Sequence, residues 1–136
     1  MATIFSKIIS GEIKSYKIAE NDKFYAFLDV FPLAKGHTLV VPKQEIDYIF
    51  NMPDDLYKEF NLFAKQVALC IEKVIECKRI GIAVIGLEVP HAHIHLIPLN
   101  NVDDINFSKP KLKFSENELE AIANQINIIF EKEKIQ

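Results

Sequence analysis

Cysteine is scarce in this chain of 136 residues, and only Cys70 and Cys77 occur. If both lie on one helix, their spacing of seven separates them by roughly 10 Å, too far for a disulfide. They read as buried thiols in a reducing compartment. Basic residues are nowhere concentrated, and 16 Lys and Arg against 19 Asp and Glu leave a net charge of −3. Displacing counterions from a nucleic-acid backbone needs a basic face, so no nucleic-acid partner is expected. A small phosphorylated ligand stays possible, because backbone N–H groups and a few side chains can hold one. No apolar run approaches a membrane span, and Met1–Lys7 lacks the apolar stretch of a signal peptide. The expected address is cytoplasmic, with no membrane partner. Repeats, linkers and biased tracts are also missing. What remains is 49% hydrophobic and 26% charged, a balance that suits a single domain over residues 1–136 with a sizeable core.

The patterning predicts α+β. Thr3–Ile9 has Ile4, Phe5, Ile8 and Ile9 on one side of a short helix that ends at Gly11. Strands are expected at Tyr16–Glu20 and Phe24–Val30, joined by the turn pair Asn21-Asp22, and at His37–Val41, closed by Pro42. From Pro53 the period changes. Leu56, Phe60, Phe63, Val67, Cys70, Ile71 and Val74 form the stripe of a long amphipathic helix, opened by Pro53 and the acidic pair Asp54-Asp55. Ile80–Ile85 and His93–Leu99 read as further strands, and Asn100–Lys113 as loop. Ser115 and Glu118 form a capping-box pattern before a last helix with the stripe Leu119, Ile122, Ala123, Ile126, Ile129 and Phe130. Hairpin-rich strands around one long helix do not make a parallel βαβ sheet. The expectation is an antiparallel sheet of about five strands with the two amphipathic helices covering one face.

Three of the four histidines share one run, His91-Ala92-His93-Ile94-His95-Leu96-Ile97-Pro98. In extended chain, His91, His93 and His95 share a face some 13 Å long at about 3.3 Å per residue. Ala92, Ile94 and Leu96 then point to the core. Three chemistries fit such a strip: a solvated His-rich face, a zinc site completed by a further ligand, or phosphoryl transfer through an imidazole nucleophile. In the last, one ring nitrogen attacks phosphorus while the other is held by a hydrogen bond, and neighbouring donors stabilise the non-bridging oxygens.

That run resembles the His-x-His-x-His-x-x signature of the histidine triad (HIT) superfamily of nucleotide hydrolases and transferases. Thr3–Ile9 with Glu12-Ile13 is similar to the opening of its Hint-like branch. Phe24–Val30 resembles the family's strand ending in aromatic-x-Asp-hydrophobic, and Pro32–Pro42 its Gly-His-x-Leu-Val-x-Pro segment. The blocks follow the family's order over nearly the whole chain. The resemblance implies a HIT-like fold, a homodimer, and His93 as nucleophile forming a nucleotidyl-histidine intermediate. It places His95 on the α-phosphate and His91 and His37 in support of the nucleophile. Asp29 would accept the ribose hydroxyls, although a simple turn residue before Phe31-Pro32 also fits that position. Ile4, Phe5, Ile8, Ile13, Phe27, Leu28, Val30 and Val89 would surround the base, although core packing alone also explains apolar residues there. The implied substrates are purine nucleotides, AMP first, with the nucleoside monophosphate cleaved from a phosphoramidate or a dinucleoside polyphosphate. No cofactor or metal is required.

This chain also departs from the family. Gly86-Leu87-Glu88-Val89-Pro90 puts Leu87 and Glu88 where members carry an amide and a hydroxyl, and Ile80 where they carry Asn. Glu88 fits three roles: a general acid if burial raises its pKa, a charge that repels polyphosphate and favours a cationic amine leaving group, or a plain surface carboxylate. Thr3–Ser6 lacks the Cys-x-x-Cys of members with a structural zinc, so none is expected. Two rival functions remain: a nucleotide-binding or regulatory protein with little turnover, and a zinc-dependent hydrolase.

Overall fold

The computed structural model describes residues 2–134. Helix α1 (Ile4–Ile9) is followed by strands β1 (Lys17–Glu20), β2 (Phe24–Leu28) and β3 (Thr38–Pro42). Helix α2 (Asp54–Val74), strands β4 (Arg79–Ala83) and β5 (Ile94–Leu99), and helix α3 (Glu116–Lys134) complete the order. The five strands form one antiparallel sheet in the order β1-β2-β3-β5-β4.

Most of the core lies between the sheet and the two long helices. Phe24, Ala26 and Leu28 from β2, Val40 from β3, and Ile94 and Leu96 from β5 meet Phe60, Phe63, Val67 and Ile71 of α2 and Leu119, Ile122 and Ile126 of α3. Phe24 lies 5.4 Å from Phe60, ring to ring, and 5.5 Å from Phe63. The alternate residues Tyr25, Phe27, Leu39 and Val41 face the other way and pack with Phe5 of α1. Both faces of the central strands are therefore covered, which makes β2 and β3 apolar along their whole length.

Most expected elements are present with shifted ends. β2 stops at Leu28, two residues short of Val30. β3 runs through Pro42 because its partner Phe24 begins there and asks nothing of the missing N–H. α2 ends at Val74, so Cys77 lies outside the helix and is half-buried, while Cys70 is buried. Within the stretch expected as pure loop, Val102–Ile105 forms a 3₁₀ turn capped reciprocally by Asn101 and Asp104. A second such turn, Ile49–Asn51, carries no strong sequence signal. The capping box of α3 is made by Ser115 and Glu118, each side chain bonding the other's backbone N–H. α1 covers the sheet face opposite the two long helices, and the histidines share that face.

Candidate active site

The ladder places Phe27, Leu39 and His95 in one row across the sheet. His95 sits on β5, with His93 and His91 on the chain entering it, and Ala92, Ile94 and Leu96 turned to the core. The alternation thus begins before the ladder does. All three imidazoles are buried, which removes the reading of a solvated face. His37 comes to them from the other side of a bend that starts at Asp29. The Asp29 N–H donates to the His37 carbonyl at 2.9 Å. Gly36, at φ +91°, makes the reversal before His37, and a Cβ there would meet Ile75 Cγ1 at 2.8 Å.

Hydrogen bonds assign the ring protons of His37, His95 and His93. The Leu33 N–H donates to His37 Nδ1 at 3.0 Å, so the His37 proton is on Nε2. That Nε2–H faces His95 Nδ1 at 3.0 Å, which places the His95 proton on Nε2. His93 Nδ1 lies 2.9 Å from the His91 carbonyl, an acceptor only, so Nδ1 carries hydrogen and Nε2 keeps a free lone pair. His91 Nε2–H donates to the Pro42 carbonyl at 2.7 Å, and the Thr3 hydroxyl lies 2.7 Å from its Nδ1. The same Thr3 oxygen caps α1 by accepting the Ser6 N–H at 3.0 Å. Phe5, in the first turn of that helix, sets its ring edge-to-face against His91 at 5.6 Å and His93 at 5.0 Å.

Burial favours the uncharged rings. His37 is pushed down to about 3, chiefly by burial and then by the nearby His95 and Lys111. His95 is pushed down to about 4 by burial and by His93. His93 is also lowered, by burial first, while the Glu88 charge opposes that shift. Asp29 is raised by burial, against the Phe31 N–H that donates to it at 2.9 Å and the charge of Lys111. Asp29 Oδ2 lies 3.6 Å from His37 Nε2, but a neutral imidazole makes this a dipolar contact rather than an ion pair.

A cavity of about 450 Å³ opens beside this cluster, within the size range of small-ligand sites. Its wall includes Asp29, His37, His93, His95, Phe5, Leu39 and the Ile85–Val89 loop. Phe31, Phe107 and Lys111 complete it.

The HIT domain family model matches residues 10–102. The chain belongs to the histidine triad family. It is 33% identical over 133 residues to an uncharacterized HIT-like protein of Borreliella burgdorferi, covering 92% of this chain and 96% of that one. Over 98 residues it is 37% identical to the adenosine 5′-monophosphoramidase HNT1 of Saccharomyces cerevisiae, 71% of this chain and 62% of that one. A hypothetical histidine triad nucleotide-binding protein of Sulfolobus tokodaii superposes with a TM-score of 0.80 at 28% identity, covering 96% of this chain and 93% of that one. No helix among the described residues is long and apolar enough to cross a membrane.

Set against this HIT site, the sequence-predicted residues divide. His37, His93, His95, Asp29, Glu88, Phe5 and Val89 border the cavity, and His91 lies behind them, fully buried. Leu28 must be corrected: the pleat turns it to the opposite face, into the main core. Phe27 and Ile8 are in the layer around Phe5 rather than on the cavity wall. Ile4, Ile13 and Val30 are substantially exposed and do not line the cavity either. Glu88 is exposed on the rim, so the burial on which an acid role depended is missing. Leu39, two residues from His37 and on the same side of the chain, also lines the cavity, but its sequence context reads as core. Phe107 and Lys111 had no signal, because they come from a loop without periodicity. Asp29, His37 and His95 place ligand atoms within 4.8 Å of one another. His37 and His95 spend their facing nitrogens on each other, and neither His91 nor His93 joins that group, so a zinc site built from the triad is not what the geometry favours.

Proposed function

We propose that this chain is a nucleotide hydrolase or transferase that releases a nucleoside monophosphate, AMP first among them, through a nucleotidyl intermediate on His93. The observation that carries the reading is the proton order of the cluster: His93 presents a bare Nε2 at a cavity wall while its Nδ1–H is anchored on the His91 carbonyl. A neutral, oriented imidazole is the form that attacks phosphorus. In this reading His95 Nε2–H donates to a non-bridging oxygen of the α-phosphate as charge builds there. His37 holds His95 in that tautomer, and His91, bonded through Thr3 and Pro42, holds the carbonyl on which His93 is aligned. Asp29 accepts the ribose hydroxyls, and Phe5, Leu39, Ile85 and Val89 offer apolar wall to the base.

In the first step His93 Nε2 bonds to phosphorus, and the bond from phosphorus to the leaving group breaks with the electron pair on that group, which takes up a proton from water at the cavity mouth. Water or another acceptor then cleaves the P–N bond and restores the ring. Glu88, an exposed carboxylate beside His93, favours a leaving amine over a polyphosphate by charge. One observation supports a second reading, a binding protein with slow turnover: Leu87 is 88% exposed and offers no hydrogen bond to a leaving group.

The homodimer also belongs to the proposal. β4 is an edge strand, and Ile82, at 62% exposed, shares its surroundings with the exposed Tyr48 and Phe50 and with Tyr57 of α2. Such an edge and apolar patch are normally covered. The deciding experiment is mass spectrometry of protein quenched while it turns over adenosine 5′-phosphoramidate. A nucleotidyl mass on the peptide containing His93 is expected; turnover with no such adduct would remove the mechanism, and bound AMP without turnover would favour the second reading.

A further inference from the structure

We propose that Lys111 makes the cavity selective for nucleotides that carry a second phosphate, on the ribose. The inference rests on the nucleotide reading above and extends it. Lys111 lies beyond the residues the family model matches, in the loop that follows β5, yet it lines the same cavity as Asp29 and His37. The loop is built to hold it there. Leu112 N–H donates to the Pro32 carbonyl at 2.8 Å, tying the loop to the bend that carries Asp29. The Lys111 ammonium donates to the carbonyls of Phe107 at 2.6 Å and Lys109 at 3.3 Å. Phe107 in turn sets its ring edge 4.8 Å from His95 and 6.3 Å from His37, centre to centre. An ammonium has three donors, and two carbonyls leave one for a ligand. Among the described residues no carboxylate lies within 4.0 Å to neutralise it, whereas its neighbour Lys109 is paired with Asp103 at 3.2 Å.

The cavity is consequently polarised. Glu88 acts electrostatically on His93, while Lys111 acts on Asp29 and His37. With His93 at the α-phosphate and Asp29 at the ribose, the fixed positive charge falls at the sugar edge, away from the leaving group. A carboxylate beside a cation at that edge suits a ribose with one free hydroxyl and one phosphate. Dinucleotide sites use either an acid for a free ribose hydroxyl or a basic group for a ribose phosphate, and this edge carries one of each.

The test is calorimetric binding of AMP, adenosine 2′,5′-bisphosphate and adenosine 3′,5′-bisphosphate to the full chain and to its Lys111→Met and Lys111→Arg variants. At least one bisphosphate is expected to bind the unmodified protein about tenfold more tightly than AMP. That preference should fall by about tenfold in Lys111→Met and survive in Lys111→Arg, and the isomer that gains identifies the ribose position. Lys111 is exposed, so neither variant empties the core. AMP binding with no gain from either extra phosphate, or a preference unchanged in Lys111→Met, overturns this inference alone. Failure of all three ligands to bind overturns the nucleotide reading and the inference together.

Discussion

His37 Nε2 lies 3.0 Å from His95 Nδ1, and the direction of that bond is set by a third group, the Leu33 N–H on the far side of the His37 ring. One backbone donor therefore decides which nitrogen of a second histidine carries its proton. The loop closing at Gly36 thereby controls the donor that faces the cavity.

Removing His37 tests this relay. In His37→Ala, His95 is free to take either tautomer, and turnover should fall on the order of 10²-fold, as for loss of one donor to a developing oxyanion. Nitrogen-15 spectra should show His95 protonated at Nε2 in the parent protein and as a tautomer mixture in the variant. Equal turnover in the two proteins would show that the His37–His95 bond has no part in the chemistry.

His93→Ala removes the atom that accepts the nucleotide. Because the ring is 8% exposed and contributes to the wall, AMP should still bind within several-fold of the parent affinity. Turnover should fall by at least about 10³-fold, since a nucleophile cannot be replaced by its supporting donors. Normal turnover in this variant would transfer the role to another group.

Asp29→Asn addresses the sugar. The change keeps the shape and the acceptor for the Phe31 N–H, but replaces a charged acceptor with a neutral one. Loss of a charge-assisted hydrogen bond corresponds to about tenfold weaker AMP binding. The affinity for the 2′,3′-dideoxy analogue should barely change, and parallel losses for both ligands would point to a disturbed loop instead.

Much of the fold was legible because its signals are periodic. The α2 and α3 stripes correspond to the buried residues Phe60, Phe63, Val67, Cys70, Ile71, Leu119, Ile122, Ala123, Ile126 and Phe130. The alternation of His with Ala92, Ile94 and Leu96 carries the orientation of the site in the sequence itself. The orientation of Leu28 is not legible because β2 is apolar on both faces, and a run of buried residues hides its own phase. Phe107 and Lys111 were invisible for a different reason: their positions depend on tertiary bonds, to Pro32 and to the loop's own carbonyls, and such bonds leave no periodic trace.

The neutral histidines make folding sensitive to mild acid. His37 and His95 are lowered from 6.5 to about 3 and about 4, so both stay uncharged in the folded chain at pH 5. The unfolded chain binds protons there and the folded one does not, so stability falls as pH drops below about 6.5. Each such histidine costs about 2 kcal/mol between neutral pH and pH 5. His93, also lowered, adds in the same direction, while Asp29, raised by burial, opposes it only nearer the carboxylate range. The exposed carboxylates held low by their partners, such as Asp103 and Asp104, lose stability only below that window. Denaturant unfolding at pH 7 and pH 5 should therefore differ by about 4 kcal/mol or somewhat more, and His37→Asn should remove about 2 kcal/mol of that difference. Coincident unfolding curves at the two pH values would mean that the cluster is already charged in the folded protein, and the proton order assigned to His93 would fall with it.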